Sequence, residues 1–546
     1  MHSELMEVGS VAGACAANPM TSRRSLAQSQ FVARGNGSTT PDKIDVQASP
    51  LGNVAEMLLE TARAMGDKAA LANGESTVSY ADLAARSLAM AEVLEQEGVK
   101  SGDRVAILLP RGAEAASAFF GTVAVGAIAI MVNETLRWRQ IEHILKHSSA
   151  QALLTSEYML RRLSKPVDIA TPVISPDDIP RSGTFRPLPR VGSDVAQIVY
   201  TSGSTGLPKG VTISHANLWA GMQTVVDYLG ITENDRIASL LPFSFDYGFN
   251  QLLCCVGTGA TLVVETSPIP RRIIETLRRQ RTTVLPAVPP LWLQLLSVEA
   301  FRTEQLEVLR TMTNTGGRLP VDAVRRLRQA QPHADLVLMY GLTEAFRSSY
   351  LSPHKVGKKP NSTGRAIPGA EILVLREDLT ACSPGEIGQL VHRGPTVALG
   401  YWNDPEATDR VFRPNPLRPV GAPAGERVVF SGDLVYQDEE GDLFFVSRPD
   451  RMIKTLGYRV SPDEVVDVLY ASGEIVEAVV AAEPDELRGS RIVAYVVLAQ
   501  DGQLDRLDAF CAREMPRYMQ PSRIEVRQAL SRTASGKHDV RATVSE

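Results

Sequence analysis

The chain has 546 residues, of which 44% are hydrophobic and 22% charged, and its formal net charge is -5. This length is enough for a large and a small domain, and the composition excludes a collagen-like or wholly disordered chain. The slight excess of acid argues against a protein that coats nucleic acid or an anionic membrane. Five cysteines without paired ligand spacing favour a reducing compartment, so we predict a cytoplasmic protein without a disulfide framework.

Residues 1–45 lack apolar periodicity, and we predict a disordered leader there. Helical and strand patterns then alternate up to about residue 449. The predicted helices cover residues 54–65, 80–96 and 114–122, and the predicted strands cover 105–109, 152–155, 196–200, 261–264, 283–285 and 336–339. The longest apolar stretch, residues 118–132, is too short to span a membrane and predicts a buried helix followed by a strand. This alternation predicts an α/β fold, with a large N-terminal domain (46–449) of β-sheets covered by helices.

The pattern changes to a small α+β domain over residues 450–546. Ser461 to Glu464 predict a capping box that opens a helix, with Pro462 at the first helical position. Strands are predicted over 475–481 and 492–498, and a final helix over 507–513. We therefore place the domain boundary at Asp450.

A loop rich in glycine and hydroxyl groups follows the predicted strand that ends at Tyr200. Its residues are Thr201, Ser202, Gly203, Ser204, Thr205, Gly206, Leu207, Pro208, Lys209 and Gly210. Glycines let backbone N–H groups approach an anion, hydroxyls donate hydrogen bonds, and the lysine adds charge. A Walker loop is excluded because Pro208 precedes Lys209 and Gly210 follows it. A nucleophile elbow is excluded because Ser202, not glycine, lies two residues before Ser204. The loop therefore predicts a polyphosphate site.

This loop resembles the signature loop of the adenylate-forming superfamily, which contains acyl- and aryl-CoA synthetases, nonribosomal-peptide adenylation domains and luciferase. Further segments resemble the superfamily's other motifs in the same order. They are Tyr340-Gly341-Leu342-Thr343-Glu344, residues 385–388 with 400–402, Ser431-Gly432-Asp433-Leu434, Arg448-Pro449-Asp450 and Ser535-Gly536-Lys537. Residues 241–253 and 339–351 look most like acyl-CoA ligases associated with bacterial exosortase systems, and next like ligases that load amino acids onto carrier proteins. The resemblance implies a large domain with a small, mobile C-terminal domain.

The resemblance also implies ATP and Mg²⁺ as ligands. In this chain Thr201 to Lys209 would hold the β- and γ-phosphates. Thr343 and Glu344 would contact the α-phosphate and the metal, for which a carboxylate is a suitable hard ligand. Asp433 and Arg448 would bind the ribose. The remaining implied nucleotide contacts are Gly316, Gly317 and Arg318 beneath the adenine, and Tyr340, followed by Gly341, stacked on it.

Lys537 is implied to be the main catalytic residue, together with Thr343, Glu344 and Lys209. Its ammonium would offset the repulsion between the substrate carboxylate and the α-phosphate. Asp450 would be the hinge about which the small domain rotates after adenylation. That rotation would present Gly457 at a channel for the thiol of CoA or of a carrier protein's phosphopantetheine.

The acid pocket is less determined by the sequence. Phe245-Asp246 resembles the pair that opens the pocket lining of amino-acid-activating domains, where the aspartate binds an α-ammonium. The implied lining residues are Asp246, Tyr247, Asn250, Ala287, Thr313, Thr315, Met339, Arg347 and Ser348. Arg347 would pair with Asp246 or bind a second acid on the substrate, and both interpretations stay open. Trp292 is expected in the core.

The sequence thus predicts an ATP-dependent ligase that forms an acyl-adenylate and passes the acyl group to a thiol. Its partners would be a small carboxylic acid or an amino acid, and CoA or a carrier protein, but not nucleic acid. The alternatives are an amino-acid-adenylating enzyme that loads a carrier protein and a non-catalytic nucleotide-binding relative. His143 and His147 are spaced as metal ligands, but we expect them on a solvated helix face.

Overall fold

The computed structural model describes residues 52–163, 170–202, 208–423, 425–448, 452–455, 458–485 and 489–546. Within these ranges, the side chains of residues 202, 454, 458, 459 and 489 are not described. The leader predicted over residues 1–45 and the predicted hinge Asp450 lie outside the described residues, as does Gly457.

Helices cover both the central and the C-terminal parts of the chain. They are α1 (Ala55–Met65), α2 (Tyr80–Gln96), α3 (Ala113–Ala124), α4 (Trp138–Ser148), α5 (Glu157–Arg161), α6 (His215–Leu229), α7 (Asp246–Thr258), α8 (Pro270–Arg279), α9 (Pro289–Ser297), α10 (Glu299–Thr303), α11 (Val321–Ala330), α12 (Pro353–Val356), α13 (Pro405–Val411), α14 (Pro462–Ala471), α15 (Leu504–Glu514) and α16 (Val540–Ser545).

Strands alternate with these helices up to β13 and then follow one another more closely. They are β1 (Ala69–Asn73), β2 (Ser76–Ser79), β3 (Arg104–Leu108), β4 (Ile128–Met131), β5 (Ala152–Thr155), β6 (Val173–Ile174), β7 (Val195–Ser202), β8 (Pro208–Ser214), β9 (Arg236–Ser239), β10 (Thr261–Val264), β11 (Val284–Ala287), β12 (Thr311–Asn314), β13 (Asp335–Leu342), β14 (Ala345–Leu351), β15 (Ser362–Ala366), β16 (Glu371–Leu375), β17 (Gly388–Arg393), β18 (Gly400–Tyr401), β19 (Phe412–Pro414), β20 (Arg427–Gln437), β21 (Leu443–Ser447), β22 (Ile453–Thr455), β23 (Tyr458–Val460), β24 (Ile475–Asp485), β25 (Gly489–Leu498) and β26 (Arg523–Val526).

The largest sheet brings the ends of several strands to one edge. Strands β1, β10, β9, β11, β12 and β13 are adjacent in that order and parallel, and β14 then pairs antiparallel with β13. The carboxyl ends of parallel strands meet at the same edge, where α/β proteins bind ligands. The loops after β9, β11, β12 and β13 therefore lie together, and these loops contain most of the predicted site.

A second sheet carries the phosphate loop. Its strands run β18-β8-β7-β4-β3-β5-β6, and β7 and β8 form an antiparallel hairpin. Thr201 pairs with Lys209 and Ser202 with Pro208, so the hairpin is regular on both sides of the loop. Buried aliphatic residues of β3, β4 and β5 place this sheet inside the large domain, as parallel strands covered on both faces require.

The C-terminal part is an antiparallel pair, β24 and β25, with β26 parallel to β25 and with α14 packed on β24. Its apolar residues join the cluster of buried residues that contains Trp292, which is fully buried as expected. Residues from Ala48 to the C-terminus consequently form one compact unit.

The predicted α/β architecture with a small C-terminal part is confirmed, and several predicted elements have the observed bounds. The helix predicted over residues 80–96 is α2, and the strands predicted over 152–155 and 261–264 are β5 and β10. The domain boundary at residue 450 stays a prediction. Among the described residues, no helix combines the length and the apolar character that crossing a bilayer requires.

Two predictions for the C-terminal part are wrong. Ser461 precedes α14, but its hydroxyl donates to the Val446 carbonyl oxygen (3.1 Å) and does not cap the helix. The carbonyl near the end of β21 thus competes for a side chain that local sequence assigns to the helix. The helix predicted over residues 507–513 is α15 and is not the last one. After it the chain forms β26 and then α16, which Asp539 caps by accepting from the Ala542 N–H (3.0 Å).

Candidate active site

The end of β13 contacts β20 through a buried carboxylate. Asp433 of β20 is 2% exposed and accepts a hydrogen bond from the Tyr340 hydroxyl at Oδ2. Arg448, just after β21, donates from Nε to Oδ1 of the same carboxylate (2.5 Å). Burial, followed by the charge of Asp433, raises the pKa of Tyr340 well above its ordinary value. Three predicted nucleotide-site residues are therefore in one hydrogen-bonded group.

One face of the Tyr340 ring is covered by His392 of β17. The two ring centroids are 5.8 Å apart and the rings are nearly parallel, at 11°. Burial lowers the pKa of His392 to about 3, so the imidazole is neutral at pH 7. His392 orients the tyrosine that the sequence assigns to the adenine, and no motif pointed to it.

The phosphate-loop lysine is held by the segment around β18. Lys209 Nζ lies 3.5 Å from the Asp404 carboxylate and 5.5 Å from the centroid of the Tyr401 ring. Thr201 and the backbone of Ser202 end β7 directly across the hairpin. The remaining predicted loop residues, Gly203, Ser204, Thr205 and Gly206, lie outside the described residues.

Thr343 and Glu344 form the turn between β13 and β14, directly after Gly341 and Leu342. The Tyr401 hydroxyl donates to Glu344 Oε1 (2.5 Å), and the Glu344 carbonyl oxygen accepts from the Ala398 N–H (2.9 Å). Burial, then the Glu344 charge, raises the pKa of Tyr401 well above its ordinary value. A single carboxylate with hydroxyl neighbours fits Mg²⁺, which typically keeps waters and substrate phosphates as its other ligands. Within the described part of the chain, no group of three or more His, Cys, Asp or Glu side chains is placed to hold a metal alone.

Lys537 reaches the same edge of the large sheet from the C-terminal part. Its Nζ lies 5.3 Å from the centroid of the Phe245 ring, and its Cε lies 3.1 Å from where a Cβ on Gly316 would be. The loop before it is attached by the Asn133 side chain, which donates to the Ala534 carbonyl oxygen (2.8 Å). Gly316 has a φ of 80°, so a side chain there would be strained as well as crowded by the lysine. Lys537 therefore lies over the loop that follows β12.

A second contact joins the C-terminal part to that loop. Arg318 forms an ion pair with Asp467 of α14 (2.6 Å), and the Gly317 carbonyl oxygen accepts from the Asn314 amide (3.1 Å). Burial raises the pKa of Asp467 to about 6, although the charge of Arg318 acts in the opposite direction. The side chain of Arg318 is thus directed to α14, while its role beneath the adenine stays a prediction.

The predicted acid-pocket residues surround the start of α7. Asp246, Tyr247 and Asn250 lie on its first turns, which are fixed because Phe249 packs on Phe119 with ring centroids 4.5 Å apart. The facing strands contribute Thr313, Met339 and Arg347, with Ala287, Thr315 and Ser348 buried at the same edge. The Tyr247 hydroxyl bonds to the Thr313 side chain (2.5 Å) and to its carbonyl oxygen (3.0 Å).

Asp246 and Arg347 meet without forming an ion pair among the described residues. The Asp246 carboxylate accepts from the Tyr247 N–H (2.8 Å). Arg347 Nη2 donates instead to the Asp246 carbonyl oxygen, at 3.4 Å. The structure therefore leaves the charge of Arg347 directed to the pocket and not to the aspartate.

Sequence reasoning missed several residues that hold this site together. Tyr401 was noticed only as part of a motif, and Phe245 only as the neighbour of Asp246. Asn133 and Asp467 carry no local signal, because each acts on a segment far away in the chain. 

The expectation that His143 and His147 lie on a solvated face is wrong. His143 bonds to the Pro208 carbonyl oxygen (3.1 Å) and His147 to the Tyr200 hydroxyl (2.9 Å). Both histidines therefore support the phosphate-loop hairpin.

Family models match most of the chain. The model described as AMP-binding enzyme matches residues 58–402, and that of the AMP-binding enzyme C-terminal domain matches residues 464–537. Together they cover most predicted site residues, including Lys537, but not Asp433, Arg448, Asp450 or Gly457, which lie between the two matched ranges.

The similar proteins include a gramicidin synthase protein and a fatty-acid–CoA ligase. A linear gramicidin synthase protein of Brevibacillus parabrevis is 31% identical over 486 residues, which cover 87% of this chain and 9% of the synthase protein. A long-chain-fatty-acid–CoA ligase of Bacillus subtilis is 26% identical over 537 residues, 89% of this chain and 94% of the ligase. The chain therefore corresponds to a small part of the first protein and to almost all of the second.

Solved structures share the fold. The o-succinylbenzoate CoA synthetase of Bacillus subtilis, in complex with its acyl-adenylate intermediate, has a TM-score of 0.78 at 27% identity. The match covers 90% of this chain and 98% of that one. A structure of the same synthetase with ATP and a magnesium ion has a TM-score of 0.77.

Proposed function

Because this chain belongs to the AMP-binding enzyme family, we propose that it is an ATP-dependent acid–thiol ligase. It converts a small carboxylic acid to an acyl-adenylate and then transfers the acyl group to the thiol of CoA or of a carrier protein's phosphopantetheine. The proposal is supported by the complete acyl-CoA and aryl-CoA ligases among the similar proteins, which match this chain over nearly its whole length.

The observation that carries the proposal is the position of Lys537 over Phe245 and Gly316. This edge of the sheet also carries Thr343 and Glu344, and Tyr340 of β13 is hydrogen-bonded to Asp433, which also binds Arg448. A cation from the C-terminal part thus meets the loops that the sequence assigns to the acid and to the nucleotide. Such an arrangement suits a reaction between two anions.

The first step joins a substrate carboxylate to the α-phosphorus of ATP. A carboxylate oxygen attacks phosphorus, the bond to the β-phosphate oxygen breaks, and pyrophosphate leaves. The Lys537 ammonium offsets the repulsion between the approaching anions. Mg²⁺, when bound with Glu344 and the phosphates as ligands, supplies further neutralisation of the phosphate charge.

In the second step a thiolate sulfur attacks the acyl carbonyl carbon and AMP leaves with the electron pair of the broken bond. Gly457 and Asp450, which the sequence assigns to the thiol channel and the hinge, lie outside the described residues. Because the second step takes place at the carbonyl carbon and not at the α-phosphorus, removal of Lys537 is expected to affect the first step and not the second.

The test is acid-dependent exchange of labelled pyrophosphate into ATP, over a panel of amino, fatty, aromatic and dicarboxylic acids. Exchange with at least one acid, followed by thioester formation when CoA or a phosphopantetheinylated carrier is added, is the expected result. Exchange with proline or another amino acid alone would identify the amino-acid-loading alternative. Absence of exchange with every acid would contradict the proposal and favour a non-catalytic relative.

A further inference from the structure

Strand β14 is irregular where it passes the acid pocket. Tyr340 of β13 pairs with Ser349 of β14. Two residues further along β13, Leu342 pairs with Ala345, which lies four residues earlier on β14 instead of two. Arg347 is at the centre of this bulge, and its φ of 74° is in the left-handed region that residues with a Cβ rarely adopt. Bulges next to active sites redirect a side chain, and backbone strain of this kind is concentrated at functional positions.

Arg347 is buried at this bulge, and 4% of the residue is exposed. Its charge lies over two rings, 5.2 Å from the centroid of Tyr247 and 5.6 Å from that of Phe346. A guanidinium has five N–H donors. The hydrogen bond that the described residues provide is the long one to the Asp246 carbonyl oxygen, and no carboxylate in the described part of the chain pairs with the charge.

A buried charge without an opposite charge is costly, and aromatic faces offset only part of that cost. The same position also has a strained backbone. Both costs would be relieved by a ligand that brings an anion to Arg347.

Arg347 lines a narrow cavity together with Tyr247, Asn250 and Thr313. The other lining residues are mainly apolar and include Val225. The cavity therefore offers hydrogen-bond donors within a mainly apolar enclosure.

Two buried amides beside this cavity are unsatisfied. The Asn250 side-chain oxygen and both polar atoms of the Gln251 side chain have no hydrogen-bond partner among the described residues. Asn250 is 2% and Gln251 5% exposed, so bulk water does not satisfy them. Buried polar groups normally have partners, and these atoms point to a polar ligand or to the water that accompanies it.

A second cation, that of Lys537, contacts the ring of Phe245, which is a neighbour of the Tyr247 ring. Lys537 is over Phe245, the centroids of Phe245 and Tyr247 are 6.2 Å apart, and Arg347 is over Tyr247. A substrate that lies along these two rings, with its reacting carboxylate at Lys537, would have Arg347 beside its other end.

We propose that the substrate is a dicarboxylic acid, of which one carboxylate is adenylated while the second accepts hydrogen bonds from Arg347. This inference rests on the proposed function and specifies its acid. Arg347 is then a specificity-determining residue of the pocket.

The experiment compares pyrophosphate exchange for pairs of acids of equal chain length: succinate with butyrate, glutarate with valerate, and adipate with hexanoate. For the wild-type enzyme we expect kcat/KM for at least one dicarboxylate to exceed that of its matched monocarboxylate at least tenfold. Arg347→Gln should reduce this ratio to about one or below, mainly through the KM of the diacid. Arg347→Lys retains the charge and should preserve part of the preference for the dicarboxylate. That result would exclude a folding defect as the reason for the lost preference in Arg347→Gln.

The outcomes separate the two proposals. Exchange with monocarboxylates at rates equal to or above those of their diacid partners would overturn the inference and leave the proposed function intact. An unchanged ratio in Arg347→Gln, with KM for ATP also unchanged, would overturn the role of Arg347. Absence of exchange with every acid would contradict the proposed function, and the inference with it.

Discussion

The nucleotide side and the acid side of this site satisfy their polar groups in different ways. On the nucleotide side, Asp433 already binds Tyr340 and Arg448. On the acid side, Arg347 is buried without a carboxylate among the described residues, and the Asn250 oxygen is without a partner there. The buried carboxylate of the nucleotide side is thus paired within the protein, although the ring nitrogens of His392 lack a partner among the described residues, whereas the buried guanidinium of the acid side is left for its ligand. This contrast suits an enzyme family in which the nucleotide is constant and the acid varies.

The largest expected effect comes from the residue that serves both sides. Lys537→Ala should lower the rate of acid-dependent pyrophosphate exchange by about 100-fold or more, since one preorganised group that stabilises the transition state is typically worth that much. Thiolysis of supplied acyl-adenylate should be retained, because that step takes place at the acyl carbonyl carbon and not at the α-phosphorus. The matched control is Lys358→Ala, at an exposed position of the large domain. Equal loss of both half-reactions would contradict the assignment of Lys537 to adenylation.

A change confined to the nucleotide side should alter KM for ATP and not KM for the acid. Asp433→Asn removes the charge that Arg448 contacts, and charge-assisted hydrogen bonds contribute about 1.5–3 kcal/mol, so KM for ATP should rise about 10–100-fold. KM for the acid should be unchanged. Asp67→Asn, at an exposed position, is the control. An equal rise of both constants would show that the two sides are not separable.

A change confined to the acid side should raise KM for the acid and not KM for ATP, and the effect should be smaller than that of Asp433→Asn. Thr313→Val keeps the shape of the side chain but removes its hydrogen bond to the Tyr247 hydroxyl, which retains the Thr313 carbonyl oxygen as an acceptor. The loss of one buried hydrogen bond costs about 1 kcal/mol, so KM for the acid should rise about fivefold. KM for ATP should stay at the wild-type value, and a change there would contradict the separation of the two sides.

The smallest effect is a pH dependence at the contact between Arg318 and Asp467. Burial raises the pKa of Asp467 from 3.8 to about 6, so the folded chain binds this proton more tightly than the unfolded chain. The contribution of this carboxyl to the free energy of unfolding should therefore decrease as the pH rises from about 4 to about 6. The ion pair with Arg318 is formed above that range.

Urea unfolding at a series of pH values tests this prediction. The free energy of unfolding of Asp467→Asn, measured relative to the wild type at each pH, should increase from pH 4 to 6, because the variant lacks the decreasing contribution of this carboxyl, whereas that of the exposed Asp505→Asn should stay constant relative to the wild type. If the free energy of unfolding of Asp467→Asn keeps the wild-type pH dependence, this carboxyl does not contribute to the change in stability between pH 4 and 6.

Local patterns predicted much of this molecule. Helix α2 and strands β5 and β10 have the bounds expected from periodicity. The phosphate-loop hairpin was also evident, because closely spaced glycines, hydroxyls and a lysine are a local signal, whereas Thr343 and Glu344 were identified through the family resemblance. Ser461 was misassigned because a carbonyl from another strand competes for its hydroxyl.

The residues assigned to ATP lie in short contiguous motifs, so the amino-acid order was sufficient to propose the nucleotide side. The neighbours of those motifs were decided by the fold. Asn133 contacts a loop that lies 401 residues later in the chain. Arg347 is directed inward by a bulge that the local sequence did not predict. Whether a charge is paired, buried or available depends on the segments that fold against it, and those contacts arise only when distant parts of the chain meet.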